Sequence, residues 1–295
     1  MKDTPTYHDR PALKPSGFDV RVAAYVAILG TAGAAQLLAL LADREDPDDR
    51  EGIAQGGRAL GLAGALLGSV VLIGHLKTPK RWYNMLRILR PQSPMSWGSW
   101  LLTGFGGASF LAWLADSIGW RRGARMAQVP AGIAGAGVAT YTASLLAATS
   151  NPLWSAAPGP LAAQFGASSM AGGASALALL QRRAGRVRSA QQLEDIARLA
   201  LIAEWVAMQA TEGRWRKEGV AQPIQEGTPA LLEQGGGKAL GMLAPLVLGA
   251  IGRPGLASAA ILAGGALMRL AVLRAGDASA QRPRDSLHFA RQRRP

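Results

Sequence analysis

Tyr25, His75, Tyr141 and Glu204 are polar side chains set inside, or at the ends of, long apolar stretches of a 295-residue sequence. Each has a chemistry that such surroundings sharpen. A phenol hydroxyl both donates and accepts hydrogen bonds. Tyr141, in ATYTASLLAATSNPLW, can therefore hold a ligand carbonyl or bond to the carbonyl of a neighbouring helix. His75 ends an apolar run, and an imidazole titrates near neutrality. It can pass a proton to a carbonyl headgroup, or it can cap a helix and touch lipid. Tyr25 lies early in the first apolar run, with Thr31 and Gln36 behind it. These can line a cavity or bond between helices. Glu204, in LALIAEWVAMQA, is a carboxylate at a depth where charge is costly, which points to a proton route. The alternative is a pair with Arg198, six residues earlier. Arg58 and Arg269 fall in or near helix ends, where snorkelling to the interface is expected.

A second set of residues is basic and aromatic. The stretch HLKTPKRWYNMLRILRPQSPMSWGSW (75–100) carries five cations, four aromatic residues and no carboxylate. Pro79, Pro91 and Pro94 disfavour one continuous helix. RWYNMLRIL between them reads as a short amphipathic helix on a membrane surface, with Trp82 and Tyr83 at headgroup level. Lys80, Arg81, Trp82, Tyr83 and Arg87 then form either a docking surface for a partner protein or an interfacial anchor.

Other chemistries are excluded by composition. With no cysteine, the chain itself holds no disulfide, thiolate zinc site or iron–sulfur cluster. Its three histidines cannot supply two membrane ligands for a haem, since only His75 lies near an apolar run. The net charge of +13 would suggest nucleic acid in a soluble protein. Here the cations cluster at the ends of apolar runs, which is a membrane-topology pattern, and no nucleic-acid partner is expected.

The elements that must position these residues are membrane helices. Val22–Ala42, Ala59–Leu76 and Gln92–Ala115 contain no Asp, Glu, Lys or Arg, and neither does the longer run Met126–Gln181. A bilayer core takes about 20 apolar residues per helix. The expected fold is an all-α membrane protein, a bundle of about eight transmembrane helices. The expected segments are roughly 21–43, 55–76, 96–117, 126–149, 158–181, 191–212, 238–252 and 254–274. The polar start and the lack of a cleavage-site context predict that the first helix is retained. The expected organisation is a polar segment 1–20, a membrane domain 21–274 and a basic tail 275–295. Asp43–Gly52 reads as an acidic loop, 151–160 as a helix break and Thr211–Lys238 as the longest loop. The last two apolar segments form a tight hairpin, or one of them is re-entrant. Cations are more numerous on the side of the termini, so the termini are expected in the cytoplasm of a bacterial inner membrane.

Three segments resemble the NrfD/PsrC family, the integral membrane subunits of polysulfide reductase and related iron–sulfur molybdoenzymes. Thr78-Pro79, Arg81–Leu86 and Ser93–Gly98 (SPMSWG) resemble the segment after the family's second helix. YTASLLAATSNPLW (141–154) and GGALMRLAVLRAG (264–276) are similar to two further family segments. The family's histidine–asparagine pair on the first helix has no counterpart here, and Lys-Thr-Pro stands where Gly-Arg-Pro is usual.

The resemblance implies an eight-helix subunit with no cofactor of its own. It would exchange electrons between menaquinone or ubiquinone and a ferredoxin-like four-cluster iron–sulfur subunit, which connects to a molybdopterin catalytic subunit, formate dehydrogenase-like among the options. It places the quinone-contacting tyrosine at Tyr141, with His75 or Tyr25 substituting for the missing pair. Two other readings stand beside it: an anchor without quinone chemistry, and a small-solute or proton transporter.

Overall fold

The computed structural model describes residues 13–14, 16–42, 47–87, 89–90 and 92–283. Among these residues the chain is helical, with no strand. The helices are α1 (Val20–Ala42), α2 (Pro47–His75), α3 (Asn84–Arg87), α4 (Pro94–Ser117), α5 (Arg121–Ala147), α6 (Pro152–Ala156), α7 (Pro158–Arg183), α8 (Val187–Lys217), α9 (Gln222–Gln225), α10 (Gly227–Leu231), α11 (Ala244–Ala250) and α12 (Pro254–Ala280). A 3-10 turn (Pro79–Arg81) precedes α3, and a π-helix (Leu232–Leu243) joins α10 to α11.

Counting α10, the π-helix and α11 as one rod, eight long rods correspond one to one with the eight expected segments. Among the described residues, four helices are long and apolar enough to cross a membrane: Val20–Ala42, Gly52–His75, Arg121–Ala147 and Pro254–Ala280. Helix α8 is richer in charge, but its surface is inverted relative to a soluble helix. Leu199, Ile202, Trp205 and Val206 face outward, each more than half exposed, while Glu204 and Thr211 are buried. That distribution suits lipid outside and polar partners inside.

The rods alternate in direction. One end of the bundle, the near face, collects the start of α1, the end of α2, the start of α4 and the ends of α5, α8 and α12. The opposite, far face has short links. Gly119 (φ 77°) turns α4 into α5, and Gly185 (φ 76°) turns α7 into α8. A left-handed residue at a helix C-terminus satisfies the last carbonyls, and glycine adopts it without a Cβ clash. Gly252 (φ 71°) closes a tight hairpin between α11 and α12.

Helix α1 is the central post, packed against α2, α5, α7 and α12. Its alanines and glycines let neighbours come close, since association within a membrane relies on packing small residues. At the crossing with α5, a Cβ on Gly33 would run into the backbone of Gly135. Gly57, Gly61, Gly64 and Gly68 put a flat stripe of α2 against α1, where a Cβ would strike Ala39, Gln36, Ala32 and Leu29 in turn.

Several expectations are corrected. Helix α2 begins at Pro47, inside the expected acidic loop; proline suits a first helical turn, where its missing N–H costs nothing. Residues 43–46 lie outside the described residues. Helix α5 starts at Arg121, five residues before the expected segment 126–149. Much of the expected long loop is helical, because α8 runs to Lys217 and the next rod begins at Gly227. Helix α12 continues to Ala280. The 151–160 break is a buried plug, with all of α6 inside the protein. Trp154 donates through Nε1 to the carbonyl of Val272 (3.0 Å), and Asn151 through Nδ2 to that of Gly276 (2.6 Å). Trp215 donates to the carbonyl of Leu153 (2.8 Å). The basic stretch forms a 3-10 turn and only the four residues of α3, shorter than expected.

Candidate functional site

Tyr25, His75 and Tyr141, which come from three separate helices, line one cavity of about 310 Å3 at the near face. Ser16, Lys77 and His75 are among its polar lining, and Phe18, Met85, Met95, Leu145 and Leu146 are among its apolar lining. An apolar cleft with a few convergent polar groups is the usual form of a small-molecule site.

The local chemistry explains how each side chain is held. Asp19 caps α1, its Oδ1 accepting from the backbone N–H of Arg21 (2.9 Å) and of Val22 (3.2 Å). The same oxygen lies 3.3 Å from His75 Nδ1 at the end of α2. A single carboxylate thus ties the start of α1 to the end of α2 and orients the imidazole. Burial is the largest single influence on Asp19 and pushes its carboxyl up. The two backbone N–H groups, with His75 and Arg21, outweigh it and hold the carboxyl below its ordinary value. Ser16 fastens the entering chain to α12, donating through N (2.9 Å) and Oγ (2.5 Å) to Asp277 Oδ1, while its Oγ accepts from the backbone N–H of Phe18 (3.2 Å).

The Tyr141 hydroxyl donates to the carbonyl of Pro94 at 2.5 Å. Of the two partners open to it from sequence, the neighbouring-helix carbonyl is therefore present in the structure. Its oxygen retains the capacity to accept from a ligand hydroxyl. The phenol ring lies flat on α4 at Gly98, where a Cβ would collide with it. Gly98 belongs to the SPMSWG segment, so that segment supplies the bed for Tyr141. Tyr25 sits near Tyr141, and its hydroxyl makes no hydrogen bond to another of the described residues.

Glu204 does not join this cavity. Its carboxylate lies near Ser168 and within electrostatic reach of Arg269 and Glu233. It is not paired with Arg198, which bonds Asp195 at 2.7 Å. Arg269 does not snorkel. It is 2% exposed, donating through Nη1 to Ser168 (3.0 Å) and Gly265 O (2.9 Å), and through Nη2 to Ser169 (2.8 Å) and Phe165 O (3.3 Å). Arg58 is likewise buried, bonding Gln128 (3.1 Å) and Asp116 (3.0 Å). Gln36 bonds between helices, to Ser109 (2.9 Å) and Gln128 (2.7 Å).

Sequence reading missed Glu233. It falls in the expected loop, yet it is 3% exposed on the π-helix, and its Oε2 lacks a partner among the described residues. Lys238 and Glu212 face it, and they pair with each other at 2.7 Å. Glu212 also reaches the exposed Arg216 (2.7 Å). The ionic groups therefore run Arg216, Glu212, Lys238, Glu233, Glu204 and Arg269, from the near face into the bundle. Their inner end lies under the cavity. Leu273 lines the cavity one turn along α12 from Arg269. Val26 lines it one turn along α1 from Gly30, which abuts the Arg269 guanidinium.

The basic stretch is exposed beside the cavity mouth. Lys80, Arg81, Trp82, Tyr83 and Arg87 are all on the surface, and none of the three cations is paired with a carboxylate among the described residues. Trp82 and Tyr83 meet edge to face, 6.5 Å between centroids. Among the described residues, no group of His, Asp and Glu is arranged to hold a metal ion.

Residues 12–212, about two thirds of the chain, match the family model described as "Polysulphide reductase, NrfD". The match takes in Tyr25, His75, Tyr141, Glu204 and the whole basic stretch, and ends before Glu233 and Arg269. No curated protein matches the chain.

Proposed function

Because the chain belongs to the NrfD family, membrane subunits of oxidoreductase complexes that associate with an iron–sulfur subunit, we propose that its near-face cavity is the site of quinone exchange. The observation that carries this reading is the meeting of Tyr25, His75 and Tyr141, from three helices, in one largely apolar cavity. A quinol must lose two electrons and two protons to become a quinone. Tyr141, donating to Pro94, presents its phenol oxygen as an acceptor for a quinol hydroxyl. Tyr25 offers a hydroxyl without a partner among the described residues. His75, with Nδ1 held toward Asp19, has Nε2 to take the two protons one after the other, handing each to water at the near face before the next. The electrons pass to an iron–sulfur subunit docked on the exposed shelf of Lys80, Arg81, Trp82, Tyr83 and Arg87. Quinone reduction runs the same steps backward.

In this reading the eight rods are eight spans with cytoplasmic termini in a bacterial inner membrane. The docked subunit is of the ferredoxin-like four-cluster type, and a molybdopterin subunit, formate dehydrogenase-like among the options, lies beyond it. Glu204 belongs to a proton route leading toward the cavity floor.

Tyr141→Phe tests the reading, because it removes the oxygen and keeps the ring on Gly98. In the purified complex, quinone-linked turnover is expected to fall at least about tenfold, the scale of one hydrogen bond to a reacting group. Turnover with soluble dyes is expected to stay at the wild-type level. Unchanged quinone kinetics would remove Tyr141 from the site.

A further inference from the structure

A second cavity, of about 300 Å3, lies between α2 and α4 under the 3-10 turn and α3. It shares Leu72, Met85 and Ser99 with the cavity that holds Tyr25, His75 and Tyr141. Its lining runs down α2 from Ile73 to Leu62 and down α4 from Ser99 to Phe110. At 1.5 Å per residue this is roughly 16 Å of bilayer depth. The lining is almost wholly apolar; Ser69, Ser99 and Thr103 are its hydroxyls. The Ser99 and Thr103 hydroxyls are turned back onto their own helix, donating to the carbonyls of Met95 (3.1 Å) and Ser99 (2.8 Å). Toward the outside, Leu66 is 60% exposed and Phe110 46% exposed, so the groove opens sideways toward lipid.

We propose that this groove is the polyprenyl-tail subsite of the quinone, with the shelf as its roof. The proposal rests on the reading of the adjoining cavity as the headgroup site. Continuity decides the occupant. A headgroup under Tyr25 and Tyr141 projects its tail past Leu72, Met85 and Ser99, and the apolar channel beyond them leads out to the lipid. The same geometry gives Trp82 a second face. It is exposed to a docked partner, yet it lines the groove with Met85 and Leu86. The shelf is thus held from below by the tail as well as from above by the partner.

Gly106 allows the groove to be filled without disturbing the bundle. A Cβ there meets only Ala65, at an ordinary 3.6 Å. Gly104, two residues earlier, lies outside the groove, and a Cβ there meets nothing within 4 Å. Gly106→Phe and Gly104→Phe thus add the same bulk on and off the path. The complex, purified in mild detergent, would be assayed with a polyprenyl quinone and with a short-chain analogue bearing the same headgroup.

For Gly106→Phe the KM of the polyprenyl quinone is expected to rise about tenfold or more, as burial of several methylenes is lost. The KM of the short-chain analogue is expected to change less than about twofold, and Gly104→Phe to leave both unchanged. Equal rises for both quinones would overturn the tail assignment, since the headgroup site itself would be disturbed. No change with either would assign the groove to another occupant, such as a lipid chain or a neighbouring membrane helix. Wild-type complex inactive with every quinone but active with dyes would instead sink the headgroup reading, and the tail subsite with it.

Discussion

Asp19 shows how much can hang on one side chain at the near face. It caps α1 and orients His75, so it joins helix stability to the chemistry of the site. Its carboxyl is held below its ordinary value of 3.8. A group with a depressed folded-state pKa stabilises the fold fully above its unfolded value and loses that contribution as pH falls through the folded one. Asp19→Ala is therefore expected to cost about 1 kcal/mol at neutral pH, the typical worth of an N-cap. The gap from wild type should close as pH drops below 3.8. Thermal melts in detergent at neutral and strongly acidic pH would check this; a gap that persists in acid would show that the charge of Asp19 is not the stabilising feature. Tyr141, Tyr25 and His75 were legible in the sequence because each is a polar group in an apolar run. Gly98 was legible only as part of a motif. Its reason, a phenol ring lying where a Cβ would be, needed the helix packing.

At the scale of elements, the junction of α7, α8, α12 and the π-helix concentrates charge inside the bundle. Glu204, Arg269 and Glu233 come from three different elements, and Ser168 lies beside the first and accepts from the second. A π-helix of twelve residues is unusual, since such turns are mostly single and often mark functional positions. Its glycines press on α12: a Cβ on Gly241 would crowd Gly264, and one on Gly236 would strike Leu267. Replacing Glu204 by Gln keeps the shape but removes the titrating group. In the proton-route reading, quinone-linked turnover should fall several-fold while dye-linked turnover and assembly are kept. A variant with full quinone-linked turnover would leave Glu204 a structural partner of Arg269. Helix periods and breakers showed where these elements lie. They could not show the π-helix, because its glycine-rich stretch reads as a loop when neighbouring helices are absent.

The whole molecule is asymmetric along its long axis. The far-face links at Gly119, Gly185 and Gly252 are tight turns, while the near face carries the entering strap, the shelf, the α6 plug and α9. Both cavities discussed above lie against that elaborated end. A partner docked there meets Lys80, Arg81 and Arg87, exposed and unpaired with any described carboxylate. Reversing all three to Glu should release the iron–sulfur subunit at moderate salt, because charge complementarity sets how such surfaces associate. Co-purification from membranes would read this; a complex retained intact would move the docking surface elsewhere on the near face.

Three segments that resemble the family pointed to it, and the sequence by itself determined the helical membrane class, the eight long segments and the few polar residues set within apolar runs. Those properties follow from local composition: apolar length, turn residues, and the scarcity of polar groups within apolar runs. Only the tertiary structure decided which of those residues meet. Tyr25, His75 and Tyr141 share one cavity, while Glu204 lies apart from it with Arg269 and Glu233. It also decided that Arg58 and Arg269 turn inward. A long cation near a helix end can reach water or a buried acceptor, and the choice rests with the partners that neighbouring helices bring. Gln128 and Asp116 hold Arg58, and Ser168 and Ser169 hold Arg269.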